Sequence, residues 1–100
     1  MIKFLGHAGF EISANNFNLL LDPWLIEGAF LNSWVHFPPL KFEAKEIQNI
    51  VERCNGLWVS HEHSDHLNEK FVENLDKNIK VILPKFPGSA LKDIFLKMGF

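Results

Sequence analysis

Apolar and polar positions change their period twice along this chain. The opening "MIKFL" is a short strand-like run, and "GFEIS" alternates, placing Phe10 and Ile12 on one face of a second strand. Asn15-Asn16 suits a tight turn because Asn tolerates positive φ, so "FNLLLD" is expected to return as a third strand in a hairpin with the second. Asp22-Pro23 closes that strand, since proline cannot extend the ladder. A loop rich in aromatics follows to about Leu40. The period then becomes helical: Ile47, Ile50, Val51 and Cys54 form one stripe, with Asn55-Gly56 as the expected stop. "LWVS" is a buried strand. "LNEKFVENLDKN" is a helix with Asn68 at its N-cap, and "IKVILP" is another strand. "GSALKDIFLKMGF" is a last helix capped by Ser89 and stopped by Gly99. A hairpin sheet followed by alternating helices and strands is an α/β arrangement, with parallel pairing in its second part.

One hundred residues make one small domain or part of a larger one. A sheet ending at "KMGF" would keep an open edge and an uncovered face, so residues 1–100 are expected to be a partial domain truncated at its C-terminus. A compact chain complete as it stands is the alternative. The net charge of -2 gives no basic stripe for nucleic acid. No apolar run is long enough to span a membrane, and the N-terminus lacks a signal-peptide pattern. Cys54 is the only cysteine, which excludes an internal disulfide and makes a reducing, cytoplasmic setting the expectation. Ten Phe and three Trp are a large apolar content. Those in the loop "DPWLIEGAFLNSWVHFPPL" must cover a core, line a pocket or meet another segment.

The chemistry concentrates in "LWVSHEHSDHLNEKF". His61, His63, Asp65 and His66 follow directly on a buried strand. His61, His63 and Asp65 share parity in an extended segment, so they project to one side, and a turn into the next helix could bring His66 to the same centre or to a second one about 3.5–4 Å away. Imidazole and carboxylate together suit zinc, iron or manganese. A solvated loop or a pH-sensing histidine cluster is the alternative, but a buried cluster without metal would be poorly satisfied. Ser60, Glu62 and Ser64 alternate with these residues and are expected to point away from the centre.

"SHEHSDH" resembles the H-x-H-x-D-H signature of the metallo-β-lactamase superfamily, and "FLGHAGFEI", "LLLDPW" and "VSHEHSDHL" stand in the order of that family's N-terminal half. Within it, "DPWLIEGAF", the following "W…FPP" and "LWVSHEHSDHL" look most like the metal-binding domain of CMP-N-acetylneuraminate hydroxylase and its bacterial relatives. The resemblance implies the N-terminal half of an αββα sandwich with one or two ions, zinc above all, at one edge. It implies His61 and His63 on a first metal, Asp65 and His66 on a second, and Asp22 supporting a ligand histidine. His7, in "FLGHAGF", matches a histidine close to the cleft in some branches; a packed strand-end histidine is the other reading. The implied activity is metal-assisted hydrolysis of a small-molecule substrate at a phosphoryl or acyl centre, with Asp65 also orienting the nucleophile.

The family's full site takes a further histidine, a bridging aspartate and a last histidine after the motif. Here no histidine follows His66, and the later aspartates are Asp76 and Asp93. A missing half or partner chain would have to complete the site, and this chain alone is expected to be nearly inactive. Two other classes compete: an oxidoreductase component related to the sialic-acid hydroxylases, and a non-enzymatic metal-binding or interaction domain. A Rieske cluster needs two Cys and two His, so one Cys excludes that module from this chain.

Overall fold

The computed structural model describes residues 1–26, 28–40 and 42–100. Strands β1 (Ile2–Gly6), β2 (Gly9–Ala14) and β3 (Phe17–Leu21) are followed by helix α1 (Ala44–Arg53), β4 (Gly56–Trp58), α2 (Glu69–Val72), β5 (Lys80–Ile82) and α3 (Ala90–Lys97). The five strands form one sheet in sequence order. The β1–β2 and β2–β3 pairs are antiparallel, and the β3–β4 and β4–β5 pairs are parallel. It follows that β1, β3, β4 and β5 point the same way and end on one edge of the sheet. This shared edge positions the candidate site.

Local chemistry explains most boundaries. Asn15 and Asn16 take φ of 51° and 63°, the left-handed pair of a two-residue hairpin turn. Helix α3 ends as expected: Gly99 has φ 97°, its N–H donates to Leu96 O, and the Phe100 N–H donates to Phe95 O. Asn55-Gly56 does not act as the expected helix stop. Helix α1 ends at Arg53, Cys54 is already extended, and Gly56 opens β4. A Cβ there would lie 2.9 Å from Phe17 Cζ, so the glycine serves the close approach of the hairpin. Helix α2 is a single turn, shorter than its apolar spacing suggests, although Phe71, Val72 and Leu75 are all buried. Asn68 stands at its N-cap position without capping it. Its side chain instead accepts from the Leu25 and Ile26 N–H groups and donates to Ile26 O, fastening the aromatic loop to α2.

The core lies on one face of the sheet. Leu5, Leu20 and Leu57 pack there with Ile50 of α1 and Cys54 just after it, Phe71 and Val72 of α2, and Leu91 and Phe95 of α3. Burial pushes the Cys54 thiol up to about 11, which makes it a packed neutral group. Phe10 and Ile12 do share a face, but it is the opposite one. Cross-strand partners place Ile2, Phe4, Phe10, Ile12, Phe17, Leu19, Leu21, Trp58 and Ile82 together on that side. Ile2 is 70% and Phe4 60% exposed. The chain therefore has one helical layer, one sheet, and an apolar sheet face open to solvent.

Because β2 turns that face outward, Glu11 points into the core and is 0% exposed. Arg53, at the end of α1, meets it with two hydrogen bonds of 2.7 Å, and this contact raises the guanidinium pKa. Arg53→Met strands the buried carboxylate and is expected to cost about 2–3 kcal/mol, below the top of the range because the arginine side chain is 40% exposed. The double change Glu11→Leu with Arg53→Met should recover most of that loss in urea denaturation. Asn68→Ala leaves two loop N–H groups unpaired. It should cost about 1–3 kcal/mol and accelerate hydrogen exchange at Leu25 and Ile26.

Candidate metal centre

The sheet edge gathers residues from three places. His7 sits in the turn after β1, Asp22 follows β3, and the histidine loop follows β4. Asp22 accepts from the Ser60 N–H at Oδ1 (2.7 Å) and from the Ser60 hydroxyl (2.7 Å) and His66 Nδ1 (2.9 Å) at Oδ2. His61 Nδ1 lies 2.8 Å from the Ser60 oxygen, which accepts its proton because the hydroxyl hydrogen is given to Asp22. The rings of His61 and His66 thus have Nδ1 engaged, which leaves Nε2 as the nitrogen that can meet a ligand. A turn in which the His66 and Leu67 N–H groups both donate to His63 O swings His66 back over the loop, and buried Leu67 anchors it. The ring centroids of His61 and His63 are 4.6 Å apart, and those of His61 and His66 are 4.1 Å apart.

Two groups of ligand-capable atoms result among the described residues. His61, His63 and Asp65 bring theirs within 4.8 Å of one another, and so do His7, Asp65 and His66. Asp65 belongs to both. It is 5% exposed, and Oδ2 receives His7 Nε2 at 2.8 Å. Its Oδ1 is buried with no hydrogen-bond partner among the described residues. A buried carboxylate with one oxygen unpartnered, in a cluster with four imidazoles, is a poor arrangement for the protein alone and a good one for a cation. The donor set of imidazole and carboxylate fits a divalent transition metal.

Sequence reasoning brought His61, His63, Asp65, His66, Asp22 and His7 to attention, and the fold collects all six at this edge. It assigned Ser60 no inward role, yet Ser60 links Asp22 to His61. Ser64 does face away, accepting from the Phe30 N–H at 2.7 Å. His36 also escaped notice. It stacks on Trp24 with centroids 3.8 Å apart and donates to Trp24 O, and burial lowers its pKa, keeping it neutral. Asp76 and Asp93 are exposed and bond locally, to the Asn78 N–H and to Ser89.

The aromatic loop borders the centre. Trp24 is 2% exposed and its ring meets the His7 ring edge-on. Phe30 lies 5.8 Å from the His63 ring and carries Trp34 against it, whereas Phe37 is 94% exposed. These three do not fill the core. An apolar groove of about 440 Å³ opens beside His7, lined by Phe4, Leu5, His36, Phe37 and Leu40. A hollow of about 670 Å³ along Val51, Asn55, Asn74 and Ile79 lies away from the histidines.

The family model described as "Beta-lactamase superfamily domain" matches residues 1–94. A Mycobacterium tuberculosis protein named as a Rieske 2Fe-2S iron-sulfur protein is 35% identical over 100 residues, covering 99% of this chain and 19% of the relative. Cytidine monophosphate-N-acetylneuraminic acid hydroxylase of Danio rerio is 28% identical over 96 residues, covering 94% of this chain and 15% of that protein. Among solved structures, a possible metal-dependent hydrolase from Veillonella parvula aligns with a TM-score of 0.74 at 18% identity, over 99% of this chain and 39% of that one. An isothiocyanate hydrolase from Delia radicum gut bacteria aligns with a TM-score of 0.68 at 18% identity, over 99% and 38%. The chain therefore spans about a fifth of the relatives' length. At that identity the structures show a shared fold. From the match over residues 1–94 and the sheet with its helices on one face, the chain belongs to the beta-lactamase superfamily and has the fold of the N-terminal half of a metallo-β-lactamase domain.

Proposed function

We propose that this chain is the metal-binding portion of a metal-dependent hydrolase acting on a phosphoryl or acyl centre of a small molecule. The observation that carries the reading is Asp65, buried, with one oxygen unpartnered, and shared by two sets of histidines at the sheet edge. His61, His63 and Asp65 would hold one ion, and Asp65 and His66 would contribute to a second. Zinc, iron and manganese all suit this donor set. A bound ion of this kind would supply hydroxide near neutral pH, by lowering the pKa of its water, and positive charge for the developing oxyanion. Asp65 orients the nucleophile. Asp22 and Ser60 hold the imidazoles with Nε2 presented to the centre. Phe30 and Trp34 shield one side from water, and the groove beside His7 offers space for an apolar part of the substrate.

The reading includes further protein. We place a second sheet of the sandwich, from a further segment or a partner chain, on the face of Ile2, Phe4, Phe10 and Phe17, whose exposed apolar surface supports it. The same added part would supply the remaining histidine and aspartate ligands, so hydrolysis by these 100 residues alone should be nearly absent. An oxidoreductase component is the second reading, favoured by one observation: relatives named for a Rieske protein and a hydroxylase share 35% and 28% identity along almost the whole chain. Redox-active iron in protein purified from its native host, with zinc absent, would favour that reading over hydrolysis.

Zinc titrated calorimetrically into the purified chain should bind measurably. His61→Ala with His63→Ala should remove one bound equivalent; unchanged binding would move the site elsewhere. Asp22→Asn keeps a residue that tolerates the φ of 43° at this position but loses the carboxylate. It should weaken zinc binding about 10- to 100-fold while circular dichroism stays unchanged.

A further inference from the structure

The geometry points to His7 as a direct ligand of a second cation position, completed by Asp65 and His66 and separate from the one framed by His61, His63 and Asp65. This rests on the metal-centre reading and extends it. The histidine loop brings two side chains to the second position, and the turn after β1 brings a third.

Three independent features converge on it. The first is distance. His7 Nε2 is 2.8 Å from Asp65 Oδ2, and His66 Nε2 is 3.5 Å from the same oxygen. A tetrahedral ion with bonds of about 2.0–2.1 Å spreads its ligand atoms ~3.3 Å apart. The two observed edges bracket that value, so an ion can take the place of the proton now shared by His7 and Asp65 with small side-chain shifts. The second is the state of the groups. His66 has Nδ1 committed to Asp22, and Asp65 is buried with Oδ1 unpartnered among the described residues. The third is the backbone. Gly6 and His7 take φ of 100° and 53°, and the β1–β2 register shifts between Phe4 and Gly6. This irregularity lifts His7 out of the ladder and turns it toward Asp65. Left-handed backbone at a non-glycine residue is held by its surroundings, and such residues cluster at ligand clamps.

His7→Asn separates ligation from backbone effects, since asparagine accepts positive φ. Zinc calorimetry and the visible absorption of added Co2+ should show two bound equivalents in the wild-type chain. One is expected in His7→Asn, and one in the variant carrying His61→Ala and His63→Ala. A wild-type stoichiometry and affinity retained in His7→Asn would overturn the assignment while leaving the metal centre standing. No zinc binding by the wild-type chain would overturn both. Imidazole 15N NMR of the wild-type protein asks the same question without a substitution. Zinc should displace the His7 Nε2 resonance together with that of His66. Displacement at His66 with His7 unmoved would make His7 a hydrogen-bond partner only and contradict the proposal.

Discussion

The carboxylate of Asp22 ties the ends of two parallel strands to the histidine loop. Register places Leu21 beside Trp58, so β3 and β4 stop side by side, and each chain must then find partners for its next polar groups. Asp22 provides them for β4: the Ser60 N–H, the Ser60 hydroxyl and His66 Nδ1 all end on one carboxylate. Its own N–H donates to Trp58 O. Asp22 is itself buried and held at positive φ. The orientations of His61 and His66 pass through this residue or through Ser60. The loop therefore presents ligands because two strands end together, and the parallel crossover through α1 makes them do so.

The same sheet divides the chain chemically. Its inner face is closed by three helices around Leu20, Leu57 and Phe71, with one ion pair, Glu11–Arg53, bound into the core. Its outer face is almost as apolar, yet open. A hydrophobic surface of this kind is costly in water and gains free energy from any second layer that covers it. The second sheet we propose would cover this outer face and leave the histidine edge along the rim.

Much of this was legible in the residues. Asn15-Asn16 announced the hairpin, the Ile47–Cys54 stripe announced α1, and the spacing of His61, His63, Asp65 and His66 announced the cluster at the sheet edge. The failures share a cause. Alternation in "GFEIS" fixes which residues share a face but not which face meets the helices, so the burial of Glu11 was invisible. Asn68 was read as a helix cap because capping is local, whereas its partners Leu25 and Ile26 are more than forty positions away. The approach of His7 to Asp65 could not be seen either. It depends on strand order, which puts the end of β1 on the same edge as the ends of β3 and β4. Pairwise chemistry along the chain was readable; coincidence of chain ends in space was not.

We propose that this edge is a metal centre built around Asp65. Crystals of the 100-residue chain soaked in zinc, with data collected on both sides of the zinc absorption edge, test it without reference to any activity. An anomalous peak is expected about 2.0–2.1 Å from Asp65 and from the imidazole nitrogens of His61 and His63. Anomalous density found only at surface carboxylates such as Glu62 or Asp76, with the His61–Asp65 cluster empty, would contradict it.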